Sequence, residues 1–205
     1  MENKTYIPNV AEIENNKFYE TFGNGTRLEL LNSSFDIGKL IFRFQKFDVN
    51  SKKEIARLVA YLDIDKALCL ANDILSGRLV KLAQNGQKEG LRKVYAQPGG
   101  SVKDGKIIYR EISVSIGNKF IVSGLECAGK KTSTGGFVAD VTNTTIPKVN
   151  INVGMDAQTL KSLAIMIQNE YQAYRTAQFV LLNSNKAPQY AYQQNVSEDV
   201  PFPEA

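Results

Sequence analysis

The nine residues Lys39-Leu-Ile-Phe-Arg-Phe-Gln-Lys-Phe47 constrain the fold more than any other stretch of the chain. A strand turns successive side chains to opposite faces, so Leu40, Phe42 and Phe44 point one way and Lys39, Ile41, Arg43, Gln45 and Phe47 the other. One face is apolar and must be covered; the other mixes cations with apolar and aromatic groups. Runs of similar character lie at 17–22, 26–32, 78–84, 93–97, 106–116, 119–127 and 148–153. They are punctuated by Gly23-Asn24-Gly25, Pro98-Gly99-Gly100, Asp104-Gly105 and Gly117-Asn118, the last of which reads as a tight hairpin. A chain of this kind is predicted to form antiparallel sheets.

Two segments carry helical periodicity instead. Ser51-Lys52-Lys53-Glu54 has the spacing of a capping box, and Ile55, Leu58, Val59 and Leu62 follow at helical intervals. Ala67, Leu68, Ala71, Ile74 and Leu75 continue the stripe to Gly77, which predicts a helical segment over 51–76 that Asp63 or Asp65 would divide. The second, over 156–182, opens on Asp156 as N-cap and carries Leu160, Leu163, Ala164, Ile167, Tyr171 and Tyr174 on one stripe. The segment Ala128-Gly-Lys-Lys-Thr-Ser-Thr-Gly-Gly136 reads as a mobile basic loop. The expected class is therefore α+β, antiparallel β-sheets with two long amphipathic helical segments. Residues 1–16 read as a flexible arm, 17–182 as one domain with strands-then-helix repeats at 17–77 and 78–182, and 183–205 as a disordered acidic tail.

The 205 residues, 43 % of them apolar, include no histidine. That removes Ser-His and Cys-His nucleophile pairs, an imidazole base and His-based metal sites. Asp63, Asp65 and Asp156 read as surface or capping carboxylates, so no catalytic residue, metal site or cofactor is expected. Cys69 and Cys127 sit far apart in apolar patterns and read as buried free thiols. With no run of about 20 apolar residues and no apolar leader, the chain reads as cytoplasmic, without a membrane partner. Charge is unevenly spread: between Arg78 and Lys131 eleven basic residues face four acidic ones, whereas 196–205 holds three acidic residues and no basic one. A basic body suits a polyanion.

The strand-to-helix joins repeat. Lys39 to Phe47 passes through a polar cap into Glu54-Ile55 and Leu58-Val59; Lys148-Val-Asn-Ile-Asn-Val passes through Asp156 into Leu160 and Leu163-Ala164. In this order the chain resembles the Whirly and positive-cofactor-four group of single-stranded-DNA-binding folds, over about 17–182. The resemblance implies sequence-nonspecific binding of single-stranded DNA on sheets, in replication or recombination of a phage or plasmid; the choice between DNA and RNA stays open. Glu198-Asp199-Val200-Pro201-Phe202 resembles the acidic tip of bacterial single-stranded-DNA-binding proteins, with three residues after Phe202. That likeness implies docking of replication or recombination proteins.

Single strands are held by cations that track phosphates and by aromatic faces that stack on bases. The candidates are Arg43, Lys46, Arg110, Lys119, Lys130 and Lys131 for charge, and Phe47, Tyr95, Tyr109 and Phe120 for stacking. Each of these residue types is also common in cores and on solvated faces. Tyr171 and Tyr174 suggest packing against a second copy, hence a homo-oligomer. An OB-fold nucleic-acid binder and a non-enzymatic structural or oligomeric interaction protein are the alternatives.

Overall fold

Most strands pair with their neighbours in sequence in the computed structural model, which describes residues 16–84, 92–140 and 142–184. The chain divides into two compact units, 1–170 and 171–205. In the first unit, β1 (Lys17–Gly23), β2 (Thr26–Leu31), β3 (Lys39–Phe47) and β4 (Glu54–Asp63) form a four-stranded antiparallel meander. Helices α1 (Ile64–Leu75) and α2 (Arg78–Gln84) follow. The second sheet contains β5 (Arg92–Lys103), β6 (Lys106–Ile116), β7 (Phe120–Lys131), β8 (Phe137–Ala139) and β9 (Val149–Met155), with β8 and β9 paired to successive parts of β7. Helix α3 (Ala157–Ser184) comes last. Each half thus runs through four antiparallel strands into a helix, β1-β2-β3-β4-α1 and β5-β6-β7-β9-α3, with β8 inserted in the second. The architecture is α+β, and among the described residues the strands form two antiparallel sheets rather than one Greek-key barrel.

The apolar face of β3 is covered as its alternation requires. Leu28 and Leu30 on β2, and Leu58, Ala60 and Leu62 on β4, stand beside Phe44, Phe42 and Leu40, all nearly inaccessible. Full burial of each large side chain contributes roughly 1.5–3 kcal/mol. The second sheet approaches this face closely at Gly124 on β7, where an added Cβ would lie 2.5 Å from the Phe44 ring.

Four elements differ from their sequence reading. Residues 54–63, expected to be helical, form β4: Leu58, Ala60 and Leu62 satisfy a two-residue period as well, and β3 offers each a core partner. Ser51 does not cap a helix; its N–H and hydroxyl both donate to the Asp48 carboxylate, at 2.7 and 2.8 Å, in the turn before β4. Residues 78–84, expected as a strand, form α2 after Gly77 takes a left-handed conformation (φ 73°), with Leu79 buried. Pro98-Gly99-Gly100 is no turn but the middle of β5, an edge strand, where the missing proline N–H breaks no ladder bond. Gly100 is required there, since a Cβ would meet Phe137 at 2.7 Å. The predicted loop at 128–136 is a strand to Lys131, paired with β8, and only 132–136 turn. Asp104 and Gly105 both take positive φ, as a two-residue hairpin demands.

The cap at Asp156 forms as read: its carboxylate accepts the Thr159 N–H at 2.7 Å, and Leu160, Leu163, Ala164 and Ile167 are the buried stripe of α3. Cys127 is buried, but Cys69 is exposed on α1. In the second unit, Tyr171 and Tyr174 stack with ring centroids 6.2 Å apart, and Phe179, Val180, Leu181 and Leu182 are exposed. Of the expected arm, only Asn16 is described; the tail beyond Ser184, with Glu198, Asp199, Val200, Pro201 and Phe202, lies outside the described residues.

Candidate nucleic-acid interface

The polar face of the first sheet is a charge ladder set by register. Glu29 on β2 stands opposite Arg43 on β3, and Arg27 opposite Gln45. Glu29 is only 1 % exposed; Arg43 donates to it, with Arg27 at 3.3 Å and Lys17 at 3.8 Å. A carboxylate withdrawn from water needs such partners. Arg43, a candidate phosphate ligand from sequence, is therefore committed to the sheet, its side chain 13 % exposed. Farther along, Glu54 receives two bonds of 2.7 Å from Arg57 and one of 2.6 Å from Gln45. The Arg57 guanidinium holds the Glu54 carboxyl below its ordinary range.

At the β1–β2 hairpin the surroundings change. The turn at Asn24 and Gly25, with Gly25 at φ 63°, sets Phe22 opposite Arg27. The Arg27 guanidinium lies 6.0 Å from the Phe22 ring centre and 5.5 Å from that of Phe47, while its Nε donates to Gln45 at 2.8 Å. Each cation–π contact is worth roughly 0.5–1 kcal/mol at exposed sites, and more where the pair is desolvated. Phe22 is 63 % exposed. Lys46, exposed, stands opposite Thr26, whose hydroxyl donates to the Asn152 carbonyl of β9 at 3.1 Å.

Beside this hairpin lies a cavity of about 700 Å3. Its walls are Thr21, Phe22 and Asn24 of the hairpin, Asn118, Lys119 and Phe120 at the β6–β7 turn, and Asn152, Gly154 and Asp156 where β9 enters α3. Tyr19 fixes the hairpin to α3 by donating its hydroxyl to the Thr159 carbonyl at 3.1 Å, and burial raises its pKa. Gly23 lets the hairpin approach β9, since a Cβ there would lie 3.2 Å from the Gly154 nitrogen.

Phe47, Lys46, Lys119 and Phe120, all expected from sequence, thus gather at the turn-bearing ends of the strands. Arg27 and Phe22 were missed; the Gly-Asn-Gly turn, by fixing the pairing across it, is the signal that places them. The remaining candidates lie elsewhere. Tyr109 is buried and donates to Glu111 at 2.9 Å, and burial pushes its pKa up. Tyr95 buries a hydroxyl with no hydrogen-bond partner among the described residues; burial, with Cys69, Asp73 and Asp65 of α1 nearby, pushes its pKa up to about 12. The Tyr109 ring is thus withdrawn from solvent, while Tyr95 as a whole is half-buried. Arg110 donates to Glu126 at 2.6 Å and to Ser101 at 3.1 Å, beside a second cavity of about 460 Å3. Lys130 and Lys131 are exposed at the other end of β7, ten or so residues and roughly 33 Å from Phe120.

Among the described residues no cluster of three or more Cys, Asp or Glu side chains could hold a metal ion, and no helix is long and apolar enough to cross a membrane. No family model matches this chain, and no curated protein matches it in sequence.

Proposed function

We propose that the protein binds single-stranded DNA, with little regard to sequence, at the turn-bearing ends of its sheets. The observation that carries this reading is the row Phe47, Arg27, Phe22, an aromatic–cation alternation half-buried at Phe47 and Arg27 and exposed at Phe22, which continues into the cavity holding Lys119 and Phe120. Bases stack on such rings whatever their sequence, and lysines without carboxylate partners follow the phosphates. The repeated order of four strands and a helix is the one that the Whirly and positive-cofactor-four resemblance implies, and it supports the same reading. Replication or recombination of a phage or plasmid in the cytoplasm, and recruitment of partner proteins by the acidic tip, belong to this proposal.

Fluorescence anisotropy with a labelled oligonucleotide tests it. Affinity should fall with salt at a log-log slope of about −0.7 per phosphate neutralised, and Lys119→Ala should flatten that slope by about 0.7. Single strands should bind more tightly than duplex, and an RNA arm fixes the sugar preference. Equal affinity for duplex, or no dependence on salt, contradicts the proposal.

A second reading, a non-enzymatic oligomeric interaction protein, is favoured by the exposed Phe179, Val180, Leu181 and Leu182. Gel filtration with and without oligonucleotide separates the two. Under this reading the protein forms oligomers and shows no shift with DNA.

A further inference from the structure

The geometry points to the 700 Å3 cavity at the β1–β2 hairpin as a site for one unstacked nucleobase, gripped by its polar edge rather than by a phosphate. This rests on the proposal that the chain binds single-stranded nucleic acid, and it names which part of the ligand enters and how. The volume falls within the roughly 300–1,000 Å3 of small-molecule sites.

Charge decides against a phosphate. Within the cavity Lys119 is the cation and Asp156 the carboxylate, so the walls are close to neutral. The start of α3, which would otherwise attract an anion, is already occupied: Asp156 accepts the Thr159 N–H at 2.7 Å, and that bond, the largest influence on it, holds its carboxyl below the ordinary range. An incoming phosphate would meet this carboxylate. A neutral planar ring would not.

The remaining walls suit such a ring. Phe22 and Phe120 supply apolar faces. The amide side chains of Asn24, Asn118 and Asn152 make no hydrogen bond among the described residues and are exposed. Each amide offers donors and an acceptor together, the combination that pairs with the mixed donor and acceptor edge of a base. Gly154 leaves the space open: nothing lies within 4 Å of where its Cβ would be, and its φ is not in the left-handed region. The site therefore has two phenyl walls, amide edges and an unfilled side-chain position.

The test compares the full-length protein's affinity for a 20-residue oligothymidylate with that for the same strand carrying abasic positions at alternate sites. The wild type should bind the abasic strand about tenfold more weakly, the magnitude expected when one stacked base is lost. Gly154→Val fills the cavity without changing charge, and Asn118→Ala alters an exposed turn. Each should bring the ratio of the two affinities toward one while the salt slope stays as it is, because Lys119 is untouched. Three outcomes overturn the inference: equal wild-type affinities, a Gly154→Val or Asn118→Ala ratio equal to that of the wild type, or a salt slope that falls in these variants, which would put a phosphate in the cavity. A wild type that binds neither strand at low salt sinks the proposed function itself, and so is distinguishable from failure of the base site alone.

Discussion

The middles of the strands and their turn-bearing ends carry the same residue types under different constraints. In mid-sheet two cations face carboxylates across the ladder: Arg43 faces Glu29, and Arg110 faces Glu126. At the ends Arg27 keeps Glu29 at 3.3 Å but also meets two phenyl rings, and Lys46 and Lys119 have no carboxylate partner among the described residues. A cation paired across a sheet is neutralised and partly dehydrated, so drawing it toward a phosphate would strand its partner. The lesson is that position along the strand, more than residue type, separates a structural cation from an available one.

The largest effect comes from breaking the middle. Arg43→Leu leaves Glu29 with Arg27 and Lys17 alone, at 3.3 and 3.8 Å. Losing a partner of a buried pair costs about 3–5 kcal/mol, and the two remaining cations place the loss at the lower end. Urea midpoints measure it; oligonucleotide affinity of the folded fraction should stay the same. An affinity loss without a stability loss would move Arg43 into the interface.

At the ends, Phe22→Ala and Phe47→Ala should each weaken oligonucleotide binding by about 1–3 kcal/mol in anisotropy titrations. Stability should change little for exposed Phe22, and unaltered affinity in both variants would remove the stacking row. Tyr95→Phe sharpens the comparison from the other side: deleting an unpartnered buried hydroxyl should stabilise the fold by about 1 kcal/mol and leave DNA binding alone. Because burial raises the Tyr95 pKa to about 12, stability does not depend on this group's titration below the unfolded value of about 10 and falls as pH rises from there through 12. Tyr95→Phe should remove this alkaline decline from a Tm–pH curve.

The smallest effect is at Asp156. Its lowered pKa means that its stabilisation is present above the ordinary carboxylate range and is lost as pH falls through the lowered value. Asp156→Asn should flatten the acid limb of the melting curve, followed by helical circular dichroism. An unchanged acid limb would show that the cap adds nothing titratable.

Much of this fold is written in local pattern. The alternation at 39–47 and the cap at Asp156 each depend on neighbours in sequence and form as read, and the hairpin at Gly117-Asn118 forms with Lys119 as a third turn residue rather than the first of the strand. β4 was illegible because Ile55, Leu58, Val59 and Leu62 fit a helical period while Leu58, Ala60 and Leu62 fit a strand; the edge of β3, a tertiary partner, decides. The candidate interface divides similarly. Lys46, Phe47, Lys119 and Phe120 stand next to turns, where exposure is readable. Tyr95 and Tyr109 lie within strands whose two faces are both partly covered, so alternation alone could not tell which rings were inside.

Pro98 in the middle of β5 has a consequence for crowding. Among the described residues β5 is an unpaired edge of its sheet, and an uninterrupted edge is a template on which another chain's strand can lie and polymerise. A protein lined up along a single strand would hold many such edges side by side at high local concentration. With no N–H at Pro98 and two glycines of poor strand propensity after it, that edge resists self-templating. Copies brought together by the proposed ligand would then stand side by side without knitting into fibres.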